Sequence, residues 1–349
     1  MDKDTSGVLL KKSVAILIIN WKSSTLLLRC LECIVRQEPT LTDVVVLDNG
    51  DDDPIPEEFY SRFPSVLFLK NVKNVGFAAG NNHLFRYATG CQWIALVNPD
   101  AFLEPDWLSK MLSAAMAHPE YSFFASRLMQ DANHEILDGD GDVFHVSGFA
   151  WREGRGRAIS QCAIEPREIF SPCSAAALYR RDALEAVGGF DEDFFCYFED
   201  VDLGFRMRLA GHRCLLVPDA VAYHVGSATT GGQHSDFAVY HGHRNVVWMY
   251  VKNMPGGLFW LLLPLHIVLN LVTIIKYSLL GQCAVILKAK WDALCGIPHM
   301  WKKRYDIQRN RSASVSEIWK MLDKSFLPRL SRFGAYNTHK QTIPPAGLK

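Results

Sequence analysis

The chain has no charge excess of either sign: Lys+Arg and Asp+Glu each number 37 among its 349 residues. Nucleic-acid binders show a basic face or stripe, so this balance argues against such a partner. A cysteine framework is missing too. The 9 cysteines are scattered (30, 33, 91, 162, 173, 196, 214, 283 and 295), which favours reduced thiols and the cytosol over a disulfide scaffold. Cys30 and Cys33 form a CxxC, but inside the helically periodic SSTLLLRCLECIVRQ and with no second pair at zinc spacing. The apolar run Val14–Ile19 has no cleavage site after it and reads as a buried strand rather than a targeting segment. INWKSS, after that first strand, carries no GxGTR-like loop, which sets a nucleotidyltransferase aside. NVGFAAGNN has neither GxGxxG nor GK[ST], so it is no Rossmann or Walker fingerprint.

What the chain does have is alternation. SVAILIIN is continuously apolar, as a strand covered on both faces should be. A helical pattern over 24–37 follows, then DVVVLDNG, SVLFLKN, a helix-like GNNHLFRYATG and WIALVNPD. This β-α-β-β-α-β order predicts an α/β fold on a mostly parallel, doubly wound sheet. Ligands bind such sheets beyond the carboxyl ends of the strands. Those ends carry Asn20, Asp48-Asn49, Asn74 and Asn98-Pro99-Asp100. A helix over 106–118 and a strand over 120–128 come next. The Gly-rich stretch 131–170 reads as long loops that shape an acceptor site. SPCSAAALYRRDALEAVGGF reads as strand, helix and turn, and LLVPDAVAYHVGS as one strand or two short ones.

FFCYFEDVDLGFRMR crowds Glu199, Asp200 and Asp202 against a run of aromatics. The residues alone leave open a metal cage, a catalytic base or an acid-rich helix N-terminus.

AILIINW, VVLDNG, NVGFAAGNN, LVNPD, VGGFDEDFFCYFEDVDLGFR and VPDAVAYHVGS occur in that order over about residues 13–250. This ordered set resembles the family-2 inverting glycosyltransferases, and most of all their bacterial rhamnosyltransferase-like branch. The resemblance implies a GT-A, Rossmann-like nucleotide-sugar fold. Inversion needs a base to take the acceptor's hydroxyl proton, and cations to neutralise the departing diphosphate. By resemblance Asp200 is the catalytic base and Glu199 orients the acceptor or the neighbouring loop, while Asp202 is left to the helix cap. Asp100 matches the last acid of the family's DxD motif, which holds Mg2+ or Mn2+ on the donor diphosphate. Asn98 replaces the first acid, so phosphate oxygens and water would complete the shell. His224 matches an additional metal ligand in some relatives. Asp48 matches the acid that accepts from the base's imide N–H, a preference for uracil or thymine. Asn20 and Trp21 match nucleoside contacts, with Asn74, Gly76 and Asn81 beside the donor. In HGHRN, Arg244 with His241 or His243 could fork onto a pyrophosphate, or simply start a helix.

From Met254 the composition changes. MPGGLFWLLLPLHIVLNLVTII has no charged residue and is long enough for a span of roughly 20 residues. Pro264, His266 and Asn270 interrupt it, and Lys288, Lys290, Lys302, Lys303 and Arg304 follow. A re-entrant or interfacial attachment is therefore expected over a single pass, on the cytoplasmic face of the inner membrane where nucleotide sugars are made. A buried helix or an oligomer interface is the duller alternative. The expected organisation is a glycosyltransferase unit over 1–250, apolar membrane-associated helices over 251–304 and a tail over 305–349. The expected donor is dTDP-L-rhamnose, with UDP-sugars next. The expected acceptor is a glycan or polyprenyl-pyrophosphate-linked sugar of cell-surface polysaccharide or lipopolysaccharide. An inactive, sugar-nucleotide-binding scaffold is the alternative.

Overall fold

The computed structural model describes residues 14–38, 42–50, 53–226, 232 and 234–325. The first half builds a parallel sheet from β1 (Val14–Asn20), β2 (Thr42–Asn49), β3 (Val66–Asn71) and β4 (Trp93–Val97). All of β1 is buried, because its alternate side chains enter two different cores. Val14, Ile16 and Ile18 meet α1 (Ser24–Ile34) and, further along, the α4 (Trp107–Ala117) side. Ala15, Leu17 and Ile19 meet α3 (Gly76–Phe85). A short helix the sequence pattern did not reveal, α2 (Glu58–Arg62), makes the crossover that the parallel β2–β3 pair requires.

Beyond β4 the sheet becomes mixed. The main path through the 10-stranded sheet is β10-β12-β6-β11-β4-β1-β2-β3. Here β6 is Phe123–Gln130, β10 Arg167–Ile169, β11 Ala176–Arg180 and β12 Cys214–His224. β11 runs antiparallel to both β4 and β6, while β12 is parallel to β6. β12 is a single strand whose register shifts between Val217 and Val221, which settles the choice left open for LLVPDAVAYHVGS. Its last residues pair antiparallel with β5 (Ala101–Leu103), setting His224 opposite Ala101 and so next to Asp100.

The stretch 131–170 is not long loops. It forms β7 (Asn133–Gly139) against β6, a hairpin of β8 (Asp142–Phe144) and β9 (Ala150–Arg152), and the edge strand β10.

After α5 (Arg181–Ala186), α6 (Glu199–Leu209) packs one face on the sheet and the other on the C-terminal helices. Those are α7 (Asp236–Asn253), α8 (Gly256–Leu279), α9 (Cys283–Arg309) and α10 (Val315–Met321). α7 runs through the boundary expected at residue 250, and α9 and α10 take up the first part of the expected tail, whose residues 326–349 lie outside the described ones.

α8 is long and apolar enough to cross a membrane. Leu258, Phe259, Leu262, His266 and Tyr277 face the protein, whereas Trp260, Leu261, Ile267, Val268, Leu271 and Ile275 are exposed. Of the residues that interrupt the apolar run, Pro264 is exposed, whereas His266 and Asn270 have inward partners. His266 stacks on Tyr250 at 4.0 Å and hydrogen-bonds the Ser147 carbonyl at 2.7 Å, and the Asn270 side-chain oxygen accepts from Lys290 at 2.5 Å.

Candidate active site

A cleft of about 460 Å³ opens at the carboxyl ends of β1 and β4 and is closed on its far side by α6, α7 and the β8–β9 hairpin. Trp21, Asn74, Gly76, Asn98, Asp100, Glu199, Asp200 and His224 all line it. The structure thus brings together the expected catalytic acids, the expected metal ligands and four of the expected donor contacts.

Asp100 and His224 form one pole. Asp100 Oδ1 lies 3.5 Å from His224 Nε2, and Asp100 Oδ2 accepts from the Gly226 amide at 3.2 Å. On the other side of the ring, His224 Nδ1 is 2.8 Å from Asp138 Oδ2. Asp138 also takes Arg152 and, at 3.3 Å, Arg155. Burial opposes charge on His224, but Asp100 and Asp138 outweigh it and raise the imidazole to about 9. Burial pushes Asp100 upward, and the His224 charge and hydrogen bond, with Arg152, more than offset that and lower it.

This pole fits a divalent cation. Asp100 and Nε2 converge on one point, and a carboxylate behind the other ring nitrogen is how metal-ligating histidines are oriented. The protein supplies only these two ligands. Among the described residues no group of three or more His, Cys, Asp or Glu could hold a metal. The remaining positions would fall to ligand oxygens and water, which Mg2+ and Mn2+ accept.

Asp200, Glu199 and Asp142 form the other pole. Glu199 and Asp142 are buried in the cleft wall and Asp200 is half-buried there. Burial raises all three carboxyls, and the Asp200 charge adds to the rise for Glu199 and Asp142. Arg152 works in the opposite direction on Asp200 and Asp142. Asp200 accepts from the Ser174 amide at 3.3 Å and the Val201 amide at 2.8 Å. Glu199 Oε2 has no hydrogen-bond partner among the described residues. Asp200 is thus a burial-raised carboxyl held in place by two backbone donors.

The turn that delivers Asp200 is strained. Phe195, Tyr197 and Phe198 have φ of 63°, 67° and 67°, a region bulky residues avoid at about 1–3 kcal/mol each. Phe198 in this conformation is the residue preceding α6. Gly76 makes room for the turn: a Cβ there would sit 2.6 Å from both the Phe195 ring and its carbonyl oxygen.

Several expected roles are corrected. The amides that open α3, beside the expected donor contacts Asn74 and Gly76, are already taken within the protein. The Val75 and Gly76 amides donate to the side chains of Asn49 and Asn74, and those of Phe77 and Ala78 to the Phe195 carbonyl. Asn81 points into the helix and donates to the Phe77 carbonyl. Asp48 and Asn20 lie behind the cleft lining, bonded to each other at 3.3 Å, with Asp48 also taking the Ile55 amide. Of the expected nucleoside contacts, Trp21 is the one that lines the cleft, and its Nε1 has no partner among the described residues.

Arg244 does not face the cleft as a pyrophosphate clamp. It donates to the carbonyls of Asp193 and Phe194 and lies 4.2 Å over the Trp248 ring. His241 stacks on Phe195, while His243 does reach the lining. Asp202 is no cap: it is fully buried one turn into α6, between Lys252, Arg206 and Asn253. Asp138, Asp142, Arg152 and Arg155 escaped the sequence reading. The alternation of acids in DGDGD and the arginines of WREGRGR were the available signal.

With this geometry in hand, comparison with known proteins is decisive for the family. The profile of Glycosyl transferase family 2 matches residues 13–188. The chain belongs to that family. It is therefore a glycosyltransferase, and inversion is typical of the family. It is 28% identical over 244 residues to an N-acetylglucosaminyl-diphospho-decaprenol L-rhamnosyltransferase of Mycobacterium tuberculosis, covering 64% of this chain and 78% of that one. A succinoglycan biosynthesis protein of Rhizobium meliloti is 26% identical over 205 residues, or 55% of this chain and 59% of the other.

Two solved structures share the fold. One is a mannosyltransferase from Pyrobaculum calidifontis in complex with GDP-Man and Mn2+, with TM-score 0.52, 15% identity, and 88% and 87% of the two chains covered. The other is GalNAc-T7 with UDP, GalNAc and Mn2+, with TM-score 0.55 and 12% identity, covering 70% of this chain and about half (48%) of that one.

Proposed function

We propose that this glycosyltransferase moves a sugar, L-rhamnose in the first instance, from its dTDP donor to a polyprenyl-diphosphate-linked acceptor by inverting displacement, with UDP-sugars the next donor class. The observation that carries the reading is the two-pole cleft: a desolvated Asp200 at one end and the Asp100–His224 pair at the other. Asp200 takes the proton of the attacking acceptor hydroxyl, a role for which its raised carboxyl is suited. Glu199, whose Oε2 is unengaged, holds the acceptor or its neighbouring hydroxyl. Asp100 and His224 would hold Mg2+ or Mn2+, which when bound neutralises charge on the leaving diphosphate. Arg152 tunes both poles, since it lowers Asp100 and Asp200 alike. Trp21, Asn74, Gly76 and Asn98 line the donor side.

The outward face of α8 suits a membrane surface better than a straight span. Its polar residues are engaged by the protein behind it, leaving the apolar ones to cover lipid while the catalytic unit stays on the cytoplasmic side. A lipid-linked acceptor would then arrive in the plane of that face.

The test is binding of a panel of nucleotide sugars, with and without Mn2+, to the detergent-purified protein and to Asp100→Ala. Metal-dependent binding of a dTDP- or UDP-sugar, lost in the variant, is the expected result. Binding of none of them would overturn the donor assignment and favour a scaffold.

A further inference from the structure

Asn245 and Arg244 lie outside the cleft, yet these two residues and the start of α3 take the carbonyls of Phe194, Phe195, Cys196 and Tyr197 in the strained turn before the expected catalytic acids. Fully buried Asn245 donates through Nδ2 to the carbonyls of Phe194 at 2.9 Å, Cys196 at 3.0 Å and Tyr197 at 2.7 Å. Arg244 Nη2 donates to those of Asp193 at 3.0 Å and Phe194 at 3.1 Å. Its Nε donates to Asn245 Oδ1 at 2.9 Å, which fixes the amide so that its NH2 faces the turn. The Phe195 carbonyl points the other way, to the amides of Phe77 and Ala78. Three bulky residues at positive φ persist only where the surroundings over-determine them.

We propose that Asn245, supported by Arg244, is a positioning residue for Asp200. Its two N–H groups, one shared between two of the three carbonyls, hold the Phe194–Phe198 turn in the conformation that starts α6 with Glu199 and Asp200 facing the cleft. This rests on Asp200 being the base. His241, Asn245, Trp248 and Lys252 recur along one side of α7, each touching the segment from Asp191 to Asp202 or its aromatic side chains. The helix layer that carries the exposed apolar face is thus in direct contact with the catalytic turn.

The experiment compares the full chain with Asn245→Ala, Arg244→Gln and Asp200→Asn. Turnover is measured with dTDP-L-rhamnose, Mn2+ and a polyprenyl-diphosphate-linked N-acetylglucosamine, and counted per site that binds dTDP. Amide exchange is followed over residues 194–201. Asn245→Ala is expected to keep dTDP affinity within about twofold, lose about 100-fold in kcat and exchange faster across the turn. Arg244→Gln should lose about tenfold, and it carries the same comparison if Asn245→Ala does not fold. Asp200→Asn should abolish turnover with exchange unchanged. Wild-type kcat in a folded Asn245→Ala, beside a dead Asp200→Asn, would overturn the positioning role alone. A fall in kcat without faster exchange would overturn its route through the turn. Turnover retained in Asp200→Asn would instead remove the base on which both rest.

Discussion

Replacing Arg152 by Gln removes a guanidinium that acts on both poles of the cleft. Arg152 bonds Asp138 and stands 3.2 Å from His224 Nδ1. Removing one partner of a buried pair costs about 3–5 kcal/mol. Asp138 keeps Arg155 at 3.3 Å and His224 at 2.8 Å, so the lower end, about 3 kcal/mol, applies here. At about 2–4 °C per kcal/mol, the melting temperature at pH 7 should fall by about 6–12 °C. The sign with pH follows from Asp138. Burial pushes it up, but Arg152, His224 and Arg155 hold its carboxyl far below the usual range, so its stabilising contribution is present above its unfolded pKa of 3.8 and is lost as pH falls through the folded value. The gap between variant and wild type should therefore be widest near neutrality and shrink below about pH 4. Activity should move too. Arg152 lowers the burial-raised Asp200 carboxyl, so without it the acidic limb of kcat/KM shifts to higher pH. Thermal melts across pH and a pH–rate profile read both effects. An unchanged melting temperature together with an unmoved acidic limb would refute the reasoning.

Other perturbations probe other links. Lys252→Met strips a fully buried ammonium from Asp191 and Asp202, which keep Lys303 and Arg206, and should cost about 3 kcal/mol in urea unfolding; less than 1 kcal/mol would contradict the anchoring role. His224, raised to about 9, must shed its proton to bind a cation, so Mn2+ affinity measured by calorimetry in the presence of UDP should rise about tenfold per pH unit between pH 6 and 8. A pH-independent affinity would place the cation elsewhere. Leu261 and Ile275 are 68% and 61% exposed on α8, and converting both to Glu should weaken sedimentation with anionic liposomes at least about 100-fold without altering nucleotide binding. Equal sedimentation would show that this face does not meet lipid.

How far the sequence foretold all this depended on local pattern. β1, β2 and β4 were legible because a strand buried on both faces must be continuously apolar, and the polar residues ending them marked the functional edge. Asp100, Glu199, Asp200 and His224 were legible from their motifs, and the structure gathers them into one cleft. Of the strands in 131–170, β8, β9 and β10 were not, since they are three residues each, too short for any periodicity to show. Arg152 and Asp138 were hidden because they are 14 residues apart in a Gly-rich stretch and meet only once the chain has folded. Arg244 was misread because a guanidinium suits carbonyls as well as phosphates, and only the fold places the Phe194 carbonyl beside it. Phe198 at the start of α6 could not be foreseen, as aromatics are poor candidates for positive φ.

The most direct test of the account is turnover. Wild type and Asp200→Asn would be incubated with dTDP-L-rhamnose, Mn2+ and a polyprenyl-diphosphate-linked N-acetylglucosamine, and the acceptor weighed by mass spectrometry. The account predicts an acceptor heavier by one deoxyhexose with the wild type and none with the variant, which still binds dTDP. An acceptor equally modified by Asp200→Asn would contradict it.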